Sequence, residues 1–187
     1  MNVMDAIYHR RSVREYTEAP VDAEMIRLLI AAAVQAPNAM NRQTWSFVVV
    51  EDQAMLARCS EQAKAHLLAT LAPGSDAERF REQLASPSFD IFHGAPTLIL
   101  ICATADDEWA TQDCCLAAQN LMLAAFANGL GTCWIGFAQA WLNQPDGKKE
   151  LGLPAHFRPI APVIVGHPKG QPVATSRHGP DILWIER

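Results

Sequence analysis

Three guanidiniums and a hydroxyl stand within five residues at Arg10-Arg11-Ser12-Val13-Arg14, directly after an apolar-patterned segment carrying Val3, Met4, Ile7 and Tyr8. Guanidinium groups pair with phosphate oxygens in a fork geometry and stay charged at any working pH. The chain as a whole is mildly acidic, with a formal net charge of -5, so the cluster is local. A local cluster on an acidic chain points to a small anionic ligand and away from nucleic acid. The same residues also fit a solvated helix end, with cations beside its last carbonyls.

Three other stretches could take part in binding. Pro37-Asn38-Ala39-Met40-Asn41-Arg42-Gln43-Thr44-Trp45 joins a helix end to a strand. The amides of Asn38, Asn41 and Gln43 both donate and accept hydrogen bonds, which suits a heterocycle or sugar chain with mixed edges; an Asn-rich turn with Trp45 capping the core is the alternative. In Gly129 to Phe137, Gly136 would let the backbone approach a flat ligand, or the stretch is a helix cap followed by a buried strand. Arg177, near the C-terminus, could add a phosphate contact or lie on the surface.

Other chemistries find no support. Gly129-Leu130-Gly131 lacks the third glycine of a dinucleotide fingerprint, because Trp134 stands there, and it follows a helix where the fingerprint follows a strand. No P-loop and no nucleophile elbow occur. His66, His93, His156 and His167 assemble with no acid and nucleophile in a known spacing, and are expected to be structural. The five cysteines form no CxxC pair and no zinc spacing, so no metal site is expected. Buried reduced thiols are the expectation. The vicinal Cys114-Cys115 pair would point about 100° apart on a helix.

The elements that must position these residues can be read from periodicity and punctuation. Half of the 187 residues are hydrophobic and 19% are charged, an apolar balance for one domain spanning residues 1–187 and a hint of area buried against a partner. A helix is predicted over Val21 to Ala36, with Asp22 as N-cap and Pro37 as its stop. A strand follows over Ser46 to Glu51, then a helix over Met55 to Leu71, broken at Pro73-Gly74-Ser75-Asp76. Ala77 to Leu84 is polar and amphipathic. Thr97 to Ala103 reads as a strand buried on both faces. Glu108 to Asn128 is a long helix, apolar all round in its second half, and so central to a core or a subunit interface; Asn128-Gly129 caps it. Short elements are expected at Thr132 to Ile135, Pro145 to Leu151 and Ile160 to Val165, and a last apolar run at Ile182 to Ile185. This alternation implies an α/β or α+β sandwich. No run suits a membrane span and the N-terminus lacks a signal-peptide layout, so a cytoplasmic location is expected.

Taken in order, Arg10 to Arg14, Pro37 to Trp45, Gly129 to Gly136, Val163-Ile164-Val165-Gly166-His167-Pro168 and Arg177 resemble the FMN-dependent nitroreductase family, in particular its short bacterial members. The resemblance covers nearly the whole chain. It implies an α+β three-layer sandwich, with a mostly antiparallel central sheet flanked by helices, in an intertwined homodimer. It implies that Arg10, Arg11 and Ser12 hold the FMN phosphate, that Arg177 completes that site, and that Arg14 lies at the pyrimidine side of the ring. Pro37, Asn38, Asn41 and Gln43 belong to the segment a neighbouring subunit contributes, with Asn38 and Asn41 touching the flavin across the dimer interface. Trp134, Ile135 and Gly136 match the segment whose backbone passes beside the ring, with an amide facing N5.

The activity so implied is an NAD(P)H oxidoreductase reducing nitroaromatics, quinones or similar electron-poor acceptors by ping-pong hydride chemistry on flavin N5, with no catalytic side chain. The same scaffold supports reductive dehalogenation and enone reduction, and a flavin-binding sensor without turnover is the reading outside enzymes. The chain departs from its relatives in places. Many have serine where it has Asn38, some also at Ala39, and proline is common in place of Thr44. Larger members carry an Asn and a Lys before the middle strand, where this chain has Phe89 to His93. They also insert a helical lid, for which Ala77 to Phe92 would be the short substitute.

Overall fold

The computed structural model describes residues 2–72, 74–75 and 77–185. Of the predicted break after the third helix, Pro73 and Asp76 lie outside the described residues. Among these residues the helices are α1 (Val3–His9), α2 (Ala23–Ala33), α3 (Gln53–Thr70), α4 (Arg81–Ala85), α5 (Glu108–Ala127), α6 (Gly136–Leu142) and α7 (Pro145–Glu150). The strands are β1 (Trp45–Val50), β2 (Thr97–Ala103), β3 (Gly131–Trp134) and β4 (Arg158–Gly166). They form one sheet in the order β1-β2-β4-β3, antiparallel at every pairing.

Side-chain alternation along the central strands divides the core into two faces. Ile99, Ile101, Ala103, Val163 and Val165 point to one side, where Leu29 and Ala33 of α2 and Ala117, Ala118 and Leu121 of α5 cover them. Leu98, Leu100, Cys102 and Ile164 point to the other, against Leu56, Cys59 and Ala63 of α3 and Ala138 and Leu142 of α6. Helices on both faces of an antiparallel sheet make the expected three-layer α+β sandwich. Every residue of β2 is buried, which is why its sequence runs apolar without alternation.

Local signals start α2 and end α5 where predicted, while α2 stops at Ala33, short of the predicted end at Ala36 and Pro37. The Asp22 side chain accepts from Glu24 N–H at 2.7 Å, and Gly129 takes φ +77° just past α5, a left-handed cap that glycine adopts without steric cost. The helix end allowed as an alternative reading of the basic cluster is that of α1, whereas α6 was not anticipated. Asn2 and Asp5 close a reciprocal capping box at the start of α1 (2.9 and 3.2 Å), and α6 begins at Gly136, a position read from the sequence as the end of a strand. Residues 171–185 form no regular element, and Ile182, Leu183, Trp184 and Ile185 are exposed.

Candidate functional site

The basic segment is hung on the edge of the sheet. Past α1 the chain runs extended beside β3: Ser12 pairs with Thr132 in a parallel bridge, and Val13 N–H donates to the Thr132 carbonyl at 2.9 Å. The same segment is clasped from the other side by the chain leaving β4. Thr17 N–H donates to the His167 carbonyl (2.9 Å), and Lys169 N–H donates to the Glu15 carbonyl (3.0 Å). The Tyr16 hydroxyl donates back to the Val13 carbonyl at 2.7 Å, so the turn between the two arms is fixed from within. These bonds turn the cationic side chains toward one pocket.

That pocket, of about 360 Å³, is lined by Arg10, Arg11, Ser12, Arg14, Pro172, Val173, Thr175 and Arg177. Four guanidiniums face it and, among the described residues, no carboxylate does. Its size falls within the range of roughly 300–1,000 Å³ typical of small-molecule sites. Burial, then Arg177 and Arg11, push the Arg10 guanidinium down from its ordinary value, the mark of cations gathered against their own repulsion. An anion seated among them would relieve that repulsion and gain charge-assisted hydrogen bonds. By contrast, the hollow of about 280 Å³ edged by Gln53, Ser60 and Phe89 contains the carboxylates of Glu61 and Asp90 and no guanidinium.

The members of the cluster differ in freedom. Arg11 donates through Nη1 to the carbonyls of Tyr8 (2.7 Å) and Arg10 (2.9 Å), so part of its guanidinium serves the end of α1, as the helix-end alternative anticipated. Arg177 is folded onto its own loop, with Nη1 donating to Thr175 Oγ1 at 2.8 Å and to the Ser176 carbonyl at 3.1 Å. Arg14 lies between two other groups. It pulls the buried Cys133 thiol down against the larger upward effect of burial, and after burial itself it is the next cause holding the His93 imidazole below the ordinary value. His93 adopts φ +55°, and Asp90 caps the turn around it by accepting from Phe92 N–H (2.9 Å) and Gly94 N–H (2.8 Å).

At the end of β3, Trp134 is half-buried, and the next residue, Ile135, is buried, its N–H donating to the Pro162 carbonyl at 2.8 Å. Gly136 is exposed, and a Cβ there would meet nothing within 4 Å, so its backbone faces open space.

The Pro37 to Gln43 stretch is elsewhere. Met40, Asn41 and Gln43 all take left-handed backbone (φ 53°, 54° and 51°), costly conformations for residues with side chains. The loop is tied internally, with Gln43 N–H donating to Asn38 Oδ1 (2.9 Å) and Gln43 Nε2 donating to Asn41 Oδ1 (3.2 Å). It sits beyond Trp45, which pairs with Ala103 at one end of edge strand β1. Thr132, which carries Ser12, pairs with Val165 at the other end of the opposite edge strand. The predicted site residues thus fall at diagonally opposite corners of the sheet. With three interstrand spacings and about six residues along the strands between them, the corners are roughly 25 Å apart.

Sequence reasoning missed the residues that hold these parts in place. Gly131 is the point of closest approach between β3 and the basic segment. Lys64, almost fully buried, donates to the carbonyls of Phe89 (2.7 Å) and Ser86 (3.1 Å) and pairs with Glu61 (2.8 Å). Asp113, also buried, accepts from Ala39 N–H. A lone Asp or Lys inside an otherwise apolar helical face was the available signal for the last two.

A helix-sheet-helix sandwich with a guanidinium pocket at one sheet corner defines the class, an α+β protein with a cationic hollow. The chain belongs to the nitroreductase family, whose model matches residues 7–167. Relatives with provisional names of NADH dehydrogenase/NAD(P)H nitroreductase occur in Methanothermobacter thermautotrophicus (28% identical, covering 100% of this chain and 88% of that protein) and Archaeoglobus fulgidus (30%, 97% and 95%). A solved structure of a Bacteroides fragilis nitroreductase with bound FMN is 27% identical, covers 100% of both chains and superposes with a TM-score of 0.85. The chain is an enzyme of this family, with the family's fold. Among its described residues no helix is long and apolar enough to cross a membrane.

Proposed function

We propose that the chain is a single-domain FMN-dependent NAD(P)H oxidoreductase of the cytoplasm that reduces nitroaromatics, quinones or similar electron-poor acceptors and works as a homodimer. The observation that carries this is the carboxylate-free pocket of Arg10, Arg11, Ser12, Arg14 and Arg177 in a chain that matches an FMN-bound nitroreductase along its whole length. Arg10, Arg11, Ser12, Arg14 and Arg177 would hold FMN there, and the flavin would supply the hydride-transfer chemistry between NAD(P)H and an electron-poor acceptor.

The protein's own part is to hold and tune the cofactor. Arg10, Ser12 and Arg177 grip the phosphate, and Arg11 adds the guanidinium nitrogens that α1 leaves free. Arg14 brings a fixed cation to the pyrimidine side of the ring and so favours its reduced, anionic form. Trp134, Ile135 and Gly136 line the ring with backbone, the open side of Gly136 allowing a flat group to approach. No side chain has to move a proton in the hydride step.

The homodimer is supported by the separation of the two half-sites. A loop roughly 25 Å from its own chain's basic pocket is better placed to serve a second copy, with Asn38 and Asn41 of one protomer meeting the flavin of the other. Exposed apolar residues on α1 (Val3, Met4, Ile7, Tyr8), on α5 (Trp109, Leu116) and in the tail (Ile182 to Ile185) supply area for such an interface.

The test is direct. Purified protein titrated with FMN should gain a perturbed flavin spectrum, oxidise NADH or NADPH only when a quinone or nitroaromatic is present, and sediment at twice the monomer mass of 20.5 kDa. A preparation that takes up no flavin would refute the proposal, and flavin uptake without NAD(P)H oxidation would leave only a binding protein.

A further inference from the structure

We infer that Asp113 is a positioning residue, whose buried carboxylate holds the Asn38–Gln43 loop in the shape that meets the flavin; the inference rests on the flavin reading above. Asp113 lies in the first half of α5, between residues that pack the core, and is 4% exposed. Its Oδ1 accepts from Ala39 N–H at 3.1 Å, across 74 positions of sequence. Its Oδ2 is buried and has no hydrogen-bond partner among the described residues. A carboxylate oxygen out of reach of water and of any donor is destabilising, and an apolar side chain would fill a helix position without that penalty.

The expense falls beside the one loop among the described residues with three left-handed residues other than glycine, Met40, Asn41 and Gln43. Backbone of that kind persists only where its surroundings over-determine it. Two ties from α5 do so here. The Arg42 Nη2 to Asp107 Oδ2 pair at 2.7 Å has both side chains one-third exposed, so water competes for it. Asp113 to Ala39 is the more sheltered tie, its carboxylate buried and Ala39 half-buried, and it grips the residue immediately after Asn38. Local features that oppose stability and coincide with a strained loop mark a site shaped for work.

The experiment compares FMN and riboflavin affinities, by flavin fluorescence titration, in the wild-type protein and in Asp113→Ala, Asp113→Asn and Arg10→Ala, with melting temperatures of the flavin-free proteins. Because Asp113 acts on the loop and not on the phosphate, Asp113→Ala should weaken FMN and riboflavin by the same factor, about tenfold, leaving their ratio as in wild type. Arg10→Ala should instead collapse that ratio. Asp113→Asn keeps an acceptor for Ala39 N–H and should restore both affinities to within about threefold. The flavin-free Asp113→Ala protein should melt no lower than wild type, since an unpaired buried charge leaves with the side chain.

Unchanged riboflavin affinity in Asp113→Ala, or equal damage from Asp113→Asn, would overturn the inference. Should Asp113→Ala not fold, the near-isosteric Asp113→Leu carries the same comparison. If neither folds, Asp113 is structural and the inference falls. A wild-type protein that binds no flavin at all would sink the flavin reading instead, before any variant is compared.

Discussion

A Cβ placed on Gly131 would lie 2.8 Å from Cβ, Cγ1 and Cγ2 of Val13. This closeness lets the segment after α1 lie flat against β3, with Ser12 bridged to Thr132 and Val13 N–H bonded to the Thr132 carbonyl. The contact with Val13 is apolar, yet it sets where Arg10, Ser12 and Arg14 stand. Gly131→Ala should therefore lower stability by about 1–3 kcal/mol through overpacking, and weaken FMN binding because the basic segment must move. Thermal melting and FMN titration would measure the two effects. Adding Val13→Ala removes two of the three clashing carbons and should recover part of both losses. A Gly131→Ala protein that binds FMN like the wild type would show that the edge pairing does not position the cluster.

The cluster itself should behave as an anion site before any flavin is present. Arg10 is crowded by Arg177 and Arg11, so an anion that neutralises the group stabilises the folded state by mass action. Millimolar inorganic phosphate is expected to raise the melting temperature of the flavin-free protein, and Arg10→Ala to abolish the rise. A hydrogen bond to a charged group contributes about 1.5–3 kcal/mol, so Arg10→Ala should reduce FMN affinity about 10- to 100-fold. Riboflavin, which has no phosphate, should lose far less. Equal losses for the two flavins would move Arg10 away from the phosphate.

Much of this arrangement is legible in the sequence, and the illegible remainder has a common physical origin. Thr97 to Ala103 reads directly as a buried strand because both of its neighbours are strands and both of its faces are covered by helices. Asp22 and Gly129 mark helix ends through bonds and backbone angles that depend on adjacent residues alone. The guanidiniums of Arg10 to Arg14 announce a cationic cluster by residue type, and they do gather at one pocket. Periodicity is blind to which distant segments come to lie together, and so nothing in the Gly129 to Gly136 stretch signals that Gly131 packs against Val13. The Asp113 to Ala39 bond spans 74 positions and leaves no local pattern. Helix α6 was hidden because it begins at a glycine and lasts seven residues, too few turns for an amphipathic repeat to stand out. The likeness to a family placed Asn38 and Asn41 beside a flavin; their residue types alone allowed an ordinary turn equally well.

Lys64 should matter to the segment from Ser86 to Gly94 more than to the rest of the chain. Its ammonium is spent on three acceptors: the carbonyls of Ser86 and Phe89 and the Glu61 carboxylate. Beside it, Ser60 Oγ accepts from Ile91 N–H at 3.1 Å, so α3 fastens both ends of the turn that leads to His93. Lys64→Met fills the same space but withdraws the ammonium from both carbonyls, leaving Phe89 without a donor and Ser86 with the Phe89 N–H alone (3.2 Å). Each such loss costs about 1–3 kcal/mol when the group stays buried. Amide hydrogen exchange should accelerate first within residues 86–94, and the melting temperature should fall by several degrees. Uniform exchange across the chain would mean that Lys64 supports the whole fold and no particular segment.

The thiols make a prediction about alkaline pH. Burial pushes Cys102 up to about 12, with Lys148 opposing weakly, and pushes Cys114 up to about 12, where Cys102 and Cys115 add to the effect. Burial followed by Glu150 pushes Cys59 up to about 11, and burial moves the Tyr16 phenol the same way. In the unfolded chain a thiol loses its proton near 9.0, whereas in the folded chain these keep theirs. Between pH 9 and pH 12 the unfolded state therefore binds fewer protons than the folded state, so stability falls as pH rises through that window. Below pH 9 the contribution is fully present and flat. The melting temperature should decline from pH 9 to pH 11, and decline less steeply when Cys102→Ala and Cys114→Ala are combined. The remaining slope belongs to Cys59, Tyr16, Cys115 and Cys133, all raised by burial. The same burial should leave Cys115, which is half-exposed, as the thiol a labelling reagent reaches first in the folded protein at pH 8, with all five reacting in denaturant. An identical slope in the double variant would mean that neither Cys102 nor Cys114 keeps its proton through this range.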